Sequence, residues 1–365
     1  MTFPLEQFLV DVKALDHSDD YQKDITDYIN NLQSQKLPVI FSLPHLCILA
    51  GVSIPRMLDG NHNNYKKNYK RFKLRKKRGG FRYIHVPDGE LKFLQRWILQ
   101  NILEKIDSHV ACKGFDKEAS ILKNAEVHLN KEAILKIDLQ RFYDSINEKR
   151  VFGIFKSVGY HSNLAVSLAK ICTFLPSFSL LNSFTKTEKE LKDKIQQSRE
   201  GILPQGAPTS PKLANLISRR LDKRIAKLAE RRGLSYSRYA DDLTLSGNYE
   251  ELRAVKKGVF RIITGENFYV NNNKTKLLRR GNRFLVTGLS VHNNAVSVPK
   301  AKKRVIEHHL FHCNDNGVEQ HLKTASIKNR NFKDWLLGNI AFVFSIEKEL
   351  GEKYFEQFNK INWPI

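Results

Sequence analysis

Three carboxylates in this 365-residue chain stand where acids are costly. Asp241 and Asp242 are adjacent in YSRYADDLTLSG (236–247), with Tyr239 and Ala240 before them and Leu243, Thr244 and Leu245 after. Alternation of apolar and polar residues on both sides predicts a strand, a tight turn and a second strand, with the acids at the tip. Taken alone, such a pair reads as a solvated turn. Against a divalent cation it becomes useful. The third acid, Asp138, follows the apolar run Ala133 to Ile137 and so ends a buried strand, a costly place for a charge unless something pairs with it. If the two strands are neighbours in one sheet, the acids converge. Hard oxygen ligands suit Mg²⁺, and two such ions about 3.5–4 Å apart stabilise both the attacking and the leaving oxygen of an in-line phosphoryl displacement. The chemistry implied is nucleotidyl transfer, in which a 3′-hydroxyl attacks a nucleoside triphosphate.

The bulk properties fit a polyanionic partner. Lys and Arg number 61 against 38 Asp and Glu, a net charge of +23. That excess points to nucleic acid first and an anionic membrane second. The length suits two or three packed subdomains. Cys47, Cys112, Cys172 and Cys313 form no CxxC pair, which argues against a disulfide framework or zinc ribbon and for a reducing cytoplasm. The N-terminus has no basic region of the signal-peptide kind. One apolar run, Leu37 to Ile54, approaches spanning length, but Pro38, Pro44, His45 and Gly51 interrupt it; two short packed helices are expected instead, and no membrane partner.

The remaining elements must position the acids. Residues 1–60 read as a helical extension. Nine of the fifteen residues from Asn64 to Arg78 are Lys or Arg, interleaved with Tyr65, Tyr69 and Phe72. With Gly79-Gly80 they predict a basic hairpin able to meet phosphates and stack on bases, whose return strand carries Arg82. Leu91 to Ile106 is an amphipathic helix. Residues 151–184 are helical and apolar, and 185–200 form a charged, exposed insertion. GILPQGAPTSP (201–211) is a rigid loop, and a helix starts at Ser210-Pro211 and runs to about Arg231. Beyond the acidic hairpin come a helix from Glu250, the segment NNNKTKLLRR (271–280) and a strand pair. After Pro299 the chain is basic and helical.

The ordered set KIDLQRFYDSI, LPQGAPTSP, YADD and NNNKTK resembles the palm motifs of reverse transcriptases. Asn124-Ala125-Glu126-Val127-His128 (NAxxH) and Val286-Thr287-Gly288 (VTG) resemble two features of the retron subfamily, and the resemblance extends over nearly the whole chain. It implies an α+β right-hand polymerase: an N-terminal extension over 1–60, fingers over 61–130, a palm over 131–298 that includes a finger-side loop near 200–210, and an RNA-binding thumb over 299–365. It implies two Mg²⁺ ions held by Asp138, Asp241 and Asp242, with dNTP substrates. Tyr143 would lie under the incoming sugar and select against a 2′-hydroxyl, or else be a core aromatic. Gln205 would touch the nucleotide or template, and Arg82 with Lys77 would clamp the triphosphate. Lys274 would sit near the primer-side palm or be a surface lysine. Asn124 and His128 would handle RNA or form a capped, satisfied helix. Val286, Thr287 and Gly288 would lie close to the RNA. Retron enzymes copy a cognate structured non-coding RNA from an internal guanosine 2′-hydroxyl into branched, multicopy single-stranded DNA, and commonly act with an effector protein against phage.

One departure stands out. Related chains often carry a Gly-Arg pair after the GF dipeptide, whereas Gly114-Phe115 is followed here by Asp116, Lys117 and Glu118. The alternatives are an intron-type or other bacterial reverse transcriptase with different priming, and a basic RNA-binding scaffold that has lost catalysis. A separate cluster, His308, His309, His312 and Cys313, lies on a predicted helix. It could hold zinc, although no second ligand pair is visible, or it belongs to a helix that touches RNA.

Overall fold

The computed structural model describes residues 4–14, 18–53, 68–75, 81–279, 281–292, 294–327 and 329–363. The chain begins with helices α1 (Leu5–Ala14), α2 (Asp19–Ser34) and α3 (Leu43–Ala50), then a hairpin of β1 (Tyr69–Arg75) and β2 (Phe81–Pro87). Helices α4 (Gly89–Asn101) and α5 (Ile121–Glu126) lead to β3 (Ala133–Gln140). Next come α6 (Glu148–Ser157), α7 (Ser162–Cys172), α8 (Phe178–Leu181), α9 (Lys189–Ser198), α10 (Ser210–Ile217) and α11 (Arg219–Glu230). The acidic hairpin is β4 (Ser235–Tyr239) and β5 (Asp242–Gly247). After α12 (Tyr249–Gly265) come the short strands β6 (Tyr269–Val270), β7 (Lys276–Arg279), β8 (Leu285–Val286), β9 (Leu289–His292) and β10 (Ala295–Ser297). Four helices close the chain: α13 (Lys300–Asp315), α14 (Val318–Thr324), α15 (Phe332–Phe344) and α16 (Lys348–Asn359).

Strand β3 is the spine of an antiparallel sheet ordered β4-β5-β3, with β6 and β7 sharing its other edge. Its side chains alternate: Leu135, Ile137 and Leu139 are buried, while Lys136, Asp138 and Gln140 face the other way and are partly open. The strand does not stop at Asp138. It runs two residues further because Leu139 and Gln140 pair with Val270 and Tyr269 of β6. Helices α11 and α12 pack on the sheet. Asn248 caps α12, its side chain accepting from the amides of Glu250 and Glu251, one of the side-chain caps that satisfy otherwise orphaned donors of a first turn.

Two main cores and a satellite organise the molecule. The larger core joins α2 and α3 to the β3 sheet, so the N-terminal helices share the interior of the sheet domain. The second gathers Phe284, Val286, Leu289 and Val291 with Ile306, Leu310, Leu336 and Ile340, so it begins in the β8–β10 sheet before Pro299. The satellite corrects the picture of residues 185–200 as a freely exposed insertion. Leu191 and Ile195 of α9 pack with Phe174, Leu180 and Ile202, and Arg141 holds Glu188 at 3.2 Å. The expected single helix after Ser210-Pro211 is two, α10 and α11, meeting at Ser218. Helix α3 ends at Gly51, whose φ of +67° suits glycine; most of the second expected helix of that pair lies outside the described residues. All four cysteines are buried free thiols. Among the described residues no helix is long and apolar enough to cross a membrane.

Candidate active site

The acidic residues meet as the alternation predicts. Asp138 of β3 is directly opposite Asp242 of β5. Asp241 occupies the two-residue turn with Ala240, between the paired Tyr239 and Asp242. The Asp241 carbonyl accepts from the Leu139 amide at 2.9 Å, which fastens the turn to β3. Like charges directly across a ladder repel. Burial, with Asp242 and Asp138 beside it, pushes the Asp241 carboxyl up to about 6, and burial also raises that of Asp242. The hairpin tip is therefore a partly desolvated cluster of negative charge, not a solvated turn.

An interruption in the edge strand supplies the nearest positive charge. β6 pairs with Leu139 and Gln140, and β7 pairs with residues 133–136, which leaves the intervening segment 271–275 beside Asp138. Asn271 Nδ2 donates to Asp138 Oδ1 at 3.0 Å, and Lys274 Nζ donates to Oδ2 at 2.8 Å. Lys274 thus reaches an acid of the cluster, which the surface-lysine reading of it did not require. With Asp138 turned to these donors, among the described residues no three His, Cys, Asp or Glu side chains close round one point as metal ligands. The donor set nevertheless fits a hard divalent cation: it consists of carboxylate oxygens, and an ammonium already sits on one of them.

Of the other expected site residues, Tyr143 comes close to Asp241 and to Arg82. Tyr143 is half-buried against the main core, and its hydroxyl is held protonated by burial and by the Asp241 charge. The LPQG loop lies along β2: the His85 amide donates to the Gln205 carbonyl at 2.7 Å. Gly206 there has φ +120°, and a Cβ on it would come within 2.6 Å of Ile84 Cγ2 and 3.0 Å of the His85 carbonyl, so only glycine allows this approach. Arg82 is exposed, three residues before His85 on the same strand. Lys77 lies outside the described residues. Asp116, which follows the GF dipeptide, pairs with Lys212 of α10 at 2.5 Å.

The NAxxH and VTG residues form a closed network behind the hairpin. His128 is fully buried, with Nδ1 2.7 Å from Ser246 Oγ and Nε2 2.7 Å from Ser237 Oγ. Ser237 donates its proton to Asn124 Oδ1 at 2.7 Å. It must therefore accept from His128, which places the imidazole proton on Nε2 and makes Nδ1 the acceptor of the Ser246 hydroxyl. Burial, with Lys131 and Lys136 nearby, depresses the His128 pKa to about 3, so the ring is neutral. Asn124 Nδ2 reaches Thr287 Oγ1 at 3.5 Å, and Thr287 donates to the Ile121 carbonyl at 3.2 Å. Asn124, His128 and Val286, expected to serve RNA binding, are each at most 1% exposed, so their side chains lie inside the fold. The capped, satisfied helix describes NAxxH, with Ser120 capping α5. Gly288 is exposed, at the outside of the same turn.

The second histidine group includes a residue the sequence reading missed. His321 of α14 joins it, 2.8 Å from His309 Nδ1, and the His308 and His312 rings are 4.4 Å apart. Cys313 points into the second core. The larger omission was Arg238, a buried arginine two residues before the turn whose partner Asp222 lies on another element.

A family model for "Reverse transcriptase (RNA-dependent DNA polymerase)" matches residues 74–297. Retron Ec86 reverse transcriptase of Escherichia coli is 36% identical over 282 residues, covering 74% of this chain and 78% of that one. Retron Mx162 reverse transcriptase of Myxococcus xanthus is 33% identical over 248 residues, covering 64% of this chain and 49% of that longer one. Among solved structures, a telomerase from Candida albicans in complex with a telomeric RNA fragment aligns with TM-score 0.43 and 14% identity, over 80% of this chain and 56% of that one. A foamy viral protease-reverse transcriptase with an RNA/DNA hybrid aligns with TM-score 0.41 and 13% identity, over 81% and 31%. Scores this low add nothing to the assignment, which rests on the family match and the retron relatives. The chain belongs to the reverse transcriptases, as a retron-type RNA-directed DNA polymerase, and its helices and antiparallel sheets make it α+β.

Proposed function

We propose that this polymerase copies a dedicated structured RNA into DNA at a metal site built from Asp138, Asp241 and Asp242. The observation that carries the reading is the register of Asp138 against Asp242, with the raised Asp241 carboxyl next to them at the turn. Those three acids would hold two Mg²⁺ ions, which when bound lower the cost of charge on the attacking and leaving oxygens. The chain's own residues do the rest. Tyr143 bounds the space beside Asp241 and would exclude a 2′-hydroxyl from the incoming sugar. Gln205 and Arg82 share the wall of β2 and would orient base and triphosphate, with Lys77 as a second cation for the phosphates. Lys274 would keep positive charge on Asp138 until the substrate arrives. Three acids maintained against their mutual repulsion argue against a silent scaffold.

On the same reading, residues 61–130 form the fingers, 131–298 the palm and 299–365 the thumb. Thr287 and Gly288 present a turn to RNA, with NAxxH fixing its position from inside. The product is branched, multicopy DNA joined to its RNA template, and an effector protein uses it against phage in the cytoplasm. The test is dTTP incorporation with Mg²⁺ on poly(rA) annealed to oligo(dT). The variant Asp241→Asn with Asp242→Asn should lose incorporation while still binding poly(rA). Undiminished incorporation would overturn the site.

A further inference from the structure

We propose that Arg238 is a positioning residue for the polymerase reaction: by holding the Ala240 carbonyl from the interior, it sets the direction of Asp241 and Asp242. This deepens the metal-site reading and rests on it.

Arg238 is 0% exposed. Its Nε and Nη2 donate to the two oxygens of Asp222 on α11, at 2.8 and 2.7 Å, and this uses one edge of the guanidinium. Nη1 is left to serve the hairpin: it donates to the Ala240 carbonyl at 3.0 Å and to Asn215 Oδ1 at 3.2 Å. The backbone on either side is also tied. The Arg238 amide donates to the Ala111 carbonyl and its carbonyl accepts from the Lys113 amide, each at 2.8 Å. Asn215 in turn donates to the Gly114 carbonyl at 2.7 Å.

Ala240 needs such a hold. Its φ is +55°, a left-handed conformation that a residue with a Cβ disfavours. It is buried, so without Arg238 its carbonyl would lack a partner. The turn is then fastened at two successive carbonyls, Ala240 by Arg238 and Asp241 by the Leu139 amide. Together they fix where the two acids stand relative to Asp138. A core ion pair serving stability alone would need the Asp222 contact and not the third one. Lysine cannot replace the fork, because one ammonium cannot face Asp222 in two places and also reach Ala240.

The test uses the full chain and Mn²⁺ as a spectroscopic stand-in for Mg²⁺, with binding read by electron paramagnetic resonance without nucleotide. Arg238→Met with Asp222→Asn removes both charges, so no unpaired buried ion remains. We expect its Mn²⁺ midpoint to weaken about ten-fold and its dTTP incorporation to fall about a hundred-fold, with poly(rA)/oligo(dT) binding kept. Tyr236→Phe removes a different hydrogen bond to Asp222, from the Tyr236 hydroxyl at 2.8 Å, and leaves the Ala240 contact. It should lower the melting temperature without moving the Mn²⁺ midpoint. If the double variant does not fold, Arg238→Lys carries the test, and a midpoint weaker by about three-fold is expected. A folded variant, double or Arg238→Lys, that keeps wild-type Mn²⁺ affinity would overturn the role of Arg238. A wild-type chain that binds no Mn²⁺ at this site would overturn the metal reading itself.

Discussion

Two polar clusters flank the same hairpin, and they are built on opposite principles. Behind it, His128, Ser237, Ser246 and Asn124 are sealed, neutral and fully hydrogen-bonded. At its tip, Asp138, Asp241 and Asp242 are partly open and carry more negative charge than Lys274 offsets. A closed network of this kind rigidifies and specifies; an under-compensated one waits for a ligand. On the proposed reading, the contrast separates residues that act on substrate from residues that hold them in place.

Substitution should split the two clusters. Asp138→Asn is expected to reduce incorporation about a thousand-fold while changing the melt little, because it removes repulsion and the Lys274 ion pair together along with a ligand. Steady-state incorporation set beside a thermal melt checks this. His128→Leu should do the reverse. It leaves the buried Ser246 hydroxyl without its acceptor and Ser237 without the donor from Nε2, and should cost about 3 kcal/mol of stability by urea unfolding, with incorporation per folded molecule largely kept. Similar behaviour of the two variants in both assays would erase the distinction.

Proton linkage gives the clusters opposite signs. The folded pKa of Asp241 lies above its unfolded value, near 6 against an ordinary carboxylate value, so its contribution rises as pH falls through 6. His128 titrates near 3 when folded and higher when unfolded, so its contribution is present above the ordinary histidine pKa and is lost on acidification. Urea unfolding between pH 7 and 5 should therefore show a steeper acid loss in Asp241→Asn than in wild type, and a shallower one in His128→Gln.

Smaller effects sharpen the edges. Tyr143→Val should admit ribonucleotides, narrowing the preference for dTTP over UTP by about ten-fold or more in single-nucleotide extension. Thr287→Val keeps shape and branching but removes the hydroxyl that Ile121 and Asn124 share, and should cost about 1 kcal/mol in urea unfolding. Thr287→Ser should restore most of it.

What the sequence disclosed follows from the range of the forces involved. The hairpin and the apolar run into Asp138 were legible because alternation and a two-residue turn are local, and the spacing of LPQG and YADD completed the frame; the last two residues of β3 were not, since they depend on pairing with β6. The Asp138–Lys274 contact was not, since it depends on an edge strand that breaks for five residues opposite one acid. Whether NAxxH handles RNA or belongs to a capped, satisfied helix stayed open in the sequence because burial of Asn124 and His128 is decided by β4 and β5, more than a hundred residues later. Arg238 passed as one basic residue among many; only the position of Asp222 on α11 makes it an interior anchor.

The most direct measurement is the melting temperature of wild type and of Asp241→Asn with Asp242→Asn, each with and without Mg²⁺. A cation site made of crowded carboxylates predicts that Mg²⁺ raises the wild-type melt, and that the double variant melts higher than wild type without metal and ignores its addition. A wild-type melt that does not respond to Mg²⁺, together with a double variant that melts lower, would contradict it.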